Sequence, residues 1–386
     1  MSSSDSEKGD QLVDACKRGD LVVARELLDA GVSIESINIH GKTCLMLAAG
    51  NGHLNLVRLL LDRAANVNAR SPAGDTALID CFVPEISRML LTRGSEVNVY
   101  GANGHSALSR AASSGDLSLV QDLLRHDAEI EPPGGNGLAP LQTAAASDRI
   151  DVATFLLQRG ANVNYRDRAL GGTPLSDAAT RASAEMVSLL LAHGADVRIV
   201  NERGDIALHN AAGNCNLEAM ALLLQSGSHL EAQGELGFTP LISAASNRAV
   251  WKTEDKALPA VVLLLKEKAN PNKADRAGYT PLHHAAYDGF KRVADVLLEA
   301  GADPGAENRK GERPIELAMK RGIPGYPNER ESVRPESKQG DPNYEVVELL
   351  LKLVKMDPKR YRKLRKSARQ SRCPEVLKLL TAARPR

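Results

Sequence analysis

Two neighbouring histidines, His283 and His284, stand in the stretch GYTPLHHAA at 278–286 of a 386-residue chain that has only nine histidines. Paired imidazoles can hold a transition metal or pass a proton. A two-histidine metal site on one helix needs i,i+4 spacing, because adjacent residues do not share a face. The spacing therefore gives these rings a structural role. Gly41-Lys42-Thr43 has the ending of a phosphate-binding loop, but the glycine required five residues before Gly41 is Ser36. The glycine-rich stretch at 134–137 lacks the G-x-G-x-x-G spacing, and no G-x-S-x-G elbow, EF-hand loop or kinase signature occurs. The five cysteines (Cys16, Cys44, Cys81, Cys215, Cys373) are far apart, odd in number and without a C-x-x-C pair. They indicate neither a disulfide framework nor a zinc cluster, and a reducing compartment, cytoplasmic or nuclear, fits them best. No catalytic residue, cofactor or metal is expected, and the chain does not read as an enzyme.

The elements that position these residues repeat. A glycine recurs at Gly41, Gly74, Gly104, Gly137, Gly171, Gly204, Gly237, Gly278 and Gly311, at spacings of 33, 30, 33, 34, 33, 33, 41 and 33 residues. Each opens a variant of one phrase: GKTCLMLAA, GDTALIDCF, GHSALSRAA, GLAPLQTAA, GGTPLSDAA, GDIALHNAA, GFTPLISAA, GYTPLHHAA, GERPIELAM. A leucine-rich run such as LVRLLLDRAANVN or VATFLLQRGANVN follows about ten residues later. The phrase has a local physical logic. Its glycine permits a tight turn, Thr280 is placed to cap a helix, and Pro281 suits the first helical position, where a missing N–H costs nothing. Leu282 enters a core and the alanine pair lets helices approach closely. Leu297 and Leu298 belong to a second helix that stops at Gly301.

The phrase and its period resemble the ankyrin repeat over roughly residues 8–352. That resemblance implies an all-α ankyrin-repeat solenoid, helix–turn–helix pairs joined by β-hairpins, with about ten repeats and a C-terminal half-repeat cap. It also implies that His283, and His209 in the matching position, hydrogen-bond locally near their helix starts. The expected organisation is a polar N-terminal tail at 1–7, a capping repeat at 8–40, the array at 41–352 and a basic helical cap at 353–386. The repeat at 74–103 is about three residues short, lost around Phe82-Val83-Pro84. Insertions interrupt the inter-helix junction at 248–255 and at 323–342. The latter's Pro, Gly and charge content reads as a flexible, drifting loop. At three positions where other repeats end their second helix with glycine stand Ala64, Asp127 and Lys268; kept left-handed, each would cost about 1 kcal/mol.

Such arrays contact partners through hairpin tips and the exposed end of the first helix. Most tips here are small or polar, among them Asn103, His105, Glu202, Arg203 and Asp205. The repeats at 237 and 278 instead present Leu236, Phe238, Arg276, Tyr279 and Tyr287, with Leu138 and Leu170 at corresponding tips. Aromatics and arginine favour binding hot spots; the alternative is that adjacent hairpins pack these rings on one another. Trp251, alone in a polar insertion, either folds back on the helices or awaits a partner.

The net charge of +1 conceals an asymmetry, since residues 352–386 carry thirteen Lys/Arg against two acids. The basic segment 358–366 opens at Pro358 and holds Lys359, Arg360, Arg362, Lys363, Arg365 and Lys366. It could attract nucleic acid or anionic lipid, or serve nuclear import. Yet Tyr361, Leu364 and Ala368, then Val376, Leu377 and Leu380, recur at helical spacing, as in a cap with a solvated outer face. The expected function is a monomeric, non-catalytic scaffold or adaptor binding another protein on the concave hairpin and first-helix face. The alternative is nucleic-acid or acidic-membrane binding through the basic end. No apolar run approaches the ~20 residues that span a bilayer.

Overall fold

A computed structural model describes residues 3–101, 103–135, 137–167, 171–234, 236–246, 253–320, 342–354, 357–370 and 374–383. Among these the regular structure is α-helical, with one 3-10 turn at Pro133–Gly135 and a single antiparallel bridge, Ile37 to Thr43. Two compact units result, residues 1–178 with 182–196 and residues 179–181 with 197–386. The first holds α1 (Ser3–Arg18), α2 (Leu21–Asp29), α3 (Cys44–Gly50), α4 (Leu54–Asp62), α5 (Ala77–Asp80) and α6 (Pro84–Thr92). It continues with α7 (Ala107–Ser114), α8 (Leu117–Arg125), α9 (Pro140–Ala146), α10 (Ile150–Gln158), most of α11 (Pro174–Arg181) and α12 (Ala184–Ala192). The second holds α13 (Ala207–Asn214), α14 (Leu217–Gln225), α15 (Pro240–Ala245), α16 (Glu254–Lys266) and α17 (Pro281–Asp288). There follow α18 (Lys291–Glu299), α19 (Pro314–Lys320), α20 (Pro342–Leu353), α21 (Pro358–Gln370) and α22 (Pro374–Ala382).

Within each unit first helices stack on first helices and second on second: α3 meets α1 and α5, and α4 meets α2 and α6. The alanine pairs permit this. Ala111–Ala112, Ala144–Ala145, Ala244–Ala245 and Ala285–Ala286 are at most 3% exposed, and the space between layers is filled by Leu60, Leu90, Leu123, Leu156 and Leu297. Each first helix starts as its phrase dictates. Thr43, Thr76, Ser106, Thr173 and Thr239 accept the N–H three residues on, and Pro140, Pro174, Pro240 and Pro281 take the first helical turn. The N-terminal stretch expected to be a tail is already helical from Ser3.

Among the described residues the hairpins are tight turns without strands. In the turn at 275–279 the Asp275 N–H donates to Tyr279 O, and the Gly278 N–H to Asp275 O. The Asp275 carboxylate also accepts the N–H groups of Ala277 and Tyr279, both at 2.9 Å. Asn38, Asn201 and Asn308 repeat this arrangement, so an Asx turn holds the hairpin.

The second helices end in left-handed residues even where glycine is missing: φ is 59° at Ala64, 59° at Asp127 and 70° at Lys268. Asp148 and Cys215, at the turns between helices, do the same at 55° and 57°. Ala64→Gly and Lys268→Gly should each stabilise the chain by about 0.5–1 kcal/mol, because roughly 1–2 kcal/mol of left-handed strain outweighs glycine's added chain entropy. Raised urea midpoints at an unchanged slope would verify this; a lowered midpoint would refute it.

Asparagines link successive repeats. Asn68 Nδ2 donates to Gly94 O while its Oδ1 accepts the Glu96 N–H. Asn98 does the same to Asp127 O and Glu129 N–H, Asn164 to Gly194 and Asp196, and Asn272 to Gly301 and Asp303. Using both ends of the amide fixes which end is oxygen.

The insertion at 248–255 falls outside the described residues up to 252, but its last two residues begin α16. The Glu254 carboxylate accepts the Arg292 and Val293 N–H groups that open α18, an N-cap supplied from the preceding repeat. The insertion at 323–342 lies outside the described residues but for Pro342, the first residue of α20. At the end of the chain Val346, Val347 and Leu350 of α20, Tyr361, Leu364 and Ala368 of α21, and Val376 and Leu380 of α22 are buried, while Leu377 is half-buried.

Candidate functional site

The third residue of each first helix decides the chemistry of the histidines. Ser109, Ser176 and Glu316 occupy this position and return a hydrogen bond to the backbone N–H of Ser106, Thr173 and Arg313. His283, fully buried, accepts the Thr280 N–H on Nδ1 at 3.1 Å. Its Nε2 must then carry the proton, and it donates to Glu312 O of the next repeat at 3.0 Å. His209 accepts the Ile206 N–H and donates from Nε2 towards Phe238 O at 2.9 Å and Ala232 O at 3.1 Å. Burial lowers both imidazoles below the ordinary histidine value. A ring with both nitrogens committed is a staple between repeats, not a ligand or a base. Among the described residues no group of three His, Cys, Asp or Glu side chains could hold a metal ion. The Cys16 thiol is pushed up by its hydrogen bond to Cys44 and by burial, so it is no reactive thiolate.

His284 points elsewhere. Its Nε2 meets Asp275 Oδ2 at 3.2 Å, and its ring lies 5.0 Å from Phe238 and 5.8 Å from Tyr279. Burial alone would raise the Asp275 carboxyl; hydrogen bonds from His284 and from the Tyr279 and Ala277 N–H groups outweigh it and hold the group below its usual range. Gln233 Nε2 ties the turn by donating to Gly237 O and Ala274 O at 2.9 and 3.1 Å.

The tips themselves are joined. The Arg276 N–H donates to Leu236 O at 2.9 Å, and the Arg309 N–H to Ala277 O at 3.0 Å. This close approach requires glycine: a Cβ on Gly237 would lie 2.6 Å from Arg276 N. Of the residues expected to face a partner, Leu236 is 51% exposed, Arg276 is exposed, and Tyr279 and Tyr287 are half-buried. Phe238 is corrected: at 9% exposure its ring packs edge-on against His284, because the close tip contact closes the hairpin over it. Leu138 is half-buried; Trp251 and Leu170 lie outside the described residues. Asp275, His284 and Gln233 were missed as tip residues, although the Asx three residues before the hairpin glycine signals the first.

In the basic segment, Pro358 opens α21 and Arg360 is used internally, pairing with Glu307 at 3.0 Å, approaching Glu316 at 3.8 Å and donating to Gly311 O. Lys359, Arg362, Lys363 and Lys366 are exposed, and Arg365 is half-buried.

A family model described as ankyrin repeats (3 copies) matches residues 12–100, 82–167, 175–254 and 249–328. The chain belongs to the ankyrin-repeat family. Similar proteins include the mouse (Mus musculus) protein fem-1 homolog A-like, 38% identical over 24% of this chain and 14% of its own length. A probable E3 ubiquitin-protein ligase of Oryza sativa subsp. japonica, XBOS33, is 34% identical over 31% of this chain and 24% of its own. The Escherichia coli (strain K12) ankyrin repeat protein YahD is 28% identical over 47% of this chain and 94% of its own. This ankyrin-repeat chain therefore spans only about a seventh to a quarter of the first two relatives. Ankyrin repeats generally mediate protein–protein interaction, and among the described residues no helix is long and apolar enough to cross a membrane.

Proposed function

We propose that the chain is a monomeric, non-catalytic scaffold or adaptor whose hairpin tips and first helices at 236–287 bind a partner protein in the cytoplasm or nucleus. The observation that carries this reading is the pair Leu236 and Arg276. Both are exposed on tips tied to each other, beside the half-buried Tyr279 and Tyr287. An apolar side chain and an arginine held by backbone bonds need little ordering on binding, the condition for a hot spot. Phe238 supports the surface from beneath, and Trp251 is proposed as a further contact.

A second reading rests on α21. Lys359, Arg362, Lys363 and Lys366 stand at i, i+3, i+4 and i+7 of this helix and are all exposed. With Tyr361, Leu364 and Ala368 buried, no apolar face is left to enter a bilayer, so nucleic acid is the better of the two anionic targets. Affinity capture with three folded baits separates the readings: the whole chain, Leu236→Ala/Arg276→Ala/Tyr287→Ala, and Lys359, Arg362, Lys363 and Lys366 each changed to Gln. A protein partner lost only from the tip variant supports the scaffold. Nucleic acid lost only from the glutamine variant, with steep salt dependence, replaces it.

A further inference from the structure

The first unit has a gap in its row of first helices. α5 is four residues long, one turn, between α3 with seven and α7 with eight. The short repeat at 74–103 has thus lost the last turn of its first helix. After Asp80 the chain runs extended, with φ/ψ of −80°/129° at Cys81 and −106°/115° at Val83. Extended backbone alternates its side chains. Cys81 turns inward at 4% exposure and Phe82 turns outward at 62%. The ring therefore stands where the missing turn would have been, contributing little to the core.

Arg110 of α7 faces the same gap, its guanidinium carbon 5.6 Å from the centroid of the Phe82 ring. No carboxylate pairs with Arg110 among the described residues, and its Nε is buried without a hydrogen-bond partner. In the short repeat, Asp80 is taken by Lys42 at 2.7 Å. The buried Nε is out of a partner's reach, but stacking on the exposed ring holds the rest of the guanidinium in place for an incoming acceptor.

We propose that this notch binds a peptide segment of a partner protein that lays an apolar side chain on Phe82 and brings an adjacent Asp or Glu carboxylate to Arg110. The ring supplies contact area and the unneutralised guanidinium supplies register, a combination typical of interface anchors. A polyphosphate is the poorer occupant, because Lys42, the neighbouring cation, is already paired and one free charge neutralises little backbone. The notch is separate from the tips at 236–287 and stands or falls independently of them.

The test is panning of a displayed library of random twelve-residue peptides against the full chain, followed by affinity measurement of the enriched peptides. Enriched sequences should carry a Leu, Ile, Phe or Trp within a few residues of an Asp or Glu. Their affinity should fall about tenfold or more with Phe82→Ala or Arg110→Gln. Arg110→Glu should abolish binding and regain it with peptides whose acid is changed to Lys. Because Phe82 is mostly exposed, each variant should keep the parent's circular dichroism and urea midpoint. Absence of enrichment, peptides without the acidic–apolar pair, or affinities untouched by both substitutions would each overturn the assignment.

Discussion

His283→Leu should lower stability of the second unit by about 2–4 kcal/mol, because it leaves the Thr280 N–H and the Glu312 carbonyl buried without their shared partner. Volume is not the issue. Ile79 and Ile242 stand at the same helical position in other repeats and are at most 1% exposed. The substitution should also change the response to acid. His209 and His283 have folded pKa values lowered by burial from 6.5. Above 6.5 both folded and unfolded chains hold them neutral, and the native contribution is complete. As pH falls below 6.5 the unfolded chain takes up protons first, so stability declines until the lowered folded values are passed. Urea midpoints from pH 7.5 to pH 5 should therefore fall less steeply in the leucine variant. An equal slope in both proteins would remove His283 from the account.

Gly237→Ala should cost about 1.5–2 kcal/mol. At a φ of 75° left-handed strain, less the chain entropy that glycine adds to the unfolded state, costs any side chain roughly 0.5–1 kcal/mol. The new Cβ, 2.6 Å from Arg276 N, must also push apart the bond from Arg276 N–H to Leu236 O, about 1 kcal/mol more. Gly301→Ala is the control: φ is 88° there and nothing lies within 4 Å of the added carbon, so only the strain remains. A larger loss at 237 than at 301 would measure the tip contact itself. Equal losses would mean that the tips touch without stabilising each other.

Much of this molecule is readable from its period. The cap at Thr280, the proline after it, the local bond of His283 and the left-handed Ala64, Asp127 and Lys268 all follow from where a residue stands in its own repeat. What lies beyond the period concerns the neighbour. The burial of Phe238 depends on the next hairpin closing over it, and the bonds of Asn68 and Asn164 reach residues 26 to 32 positions away. The short repeat is the instructive case. Counting residues shows that three are missing near Phe82, but only the backbone shows that a helical turn was removed and that the ring was left facing solvent. As for the site, the tips at 236–287 are marked by composition and Asp275 by its place three residues before the hairpin glycine, whereas Gln233, which also holds them, looks like an ordinary loop residue.

The asparagine links have a direction. At each seam the earlier repeat supplies the amide side chain, and the later one supplies only a carbonyl and an N–H that every residue possesses. For this link a repeat therefore carries its own connector forward and needs no particular side chain on the repeat that follows. In a lineage that duplicates, deletes or shuffles such modules, a newcomer can be placed after Asn68, Asn98, Asn164 or Asn272 without a matching substitution on its own side. Exchange is open downstream and restricted upstream, so the grammar of the array reads one way along the chain.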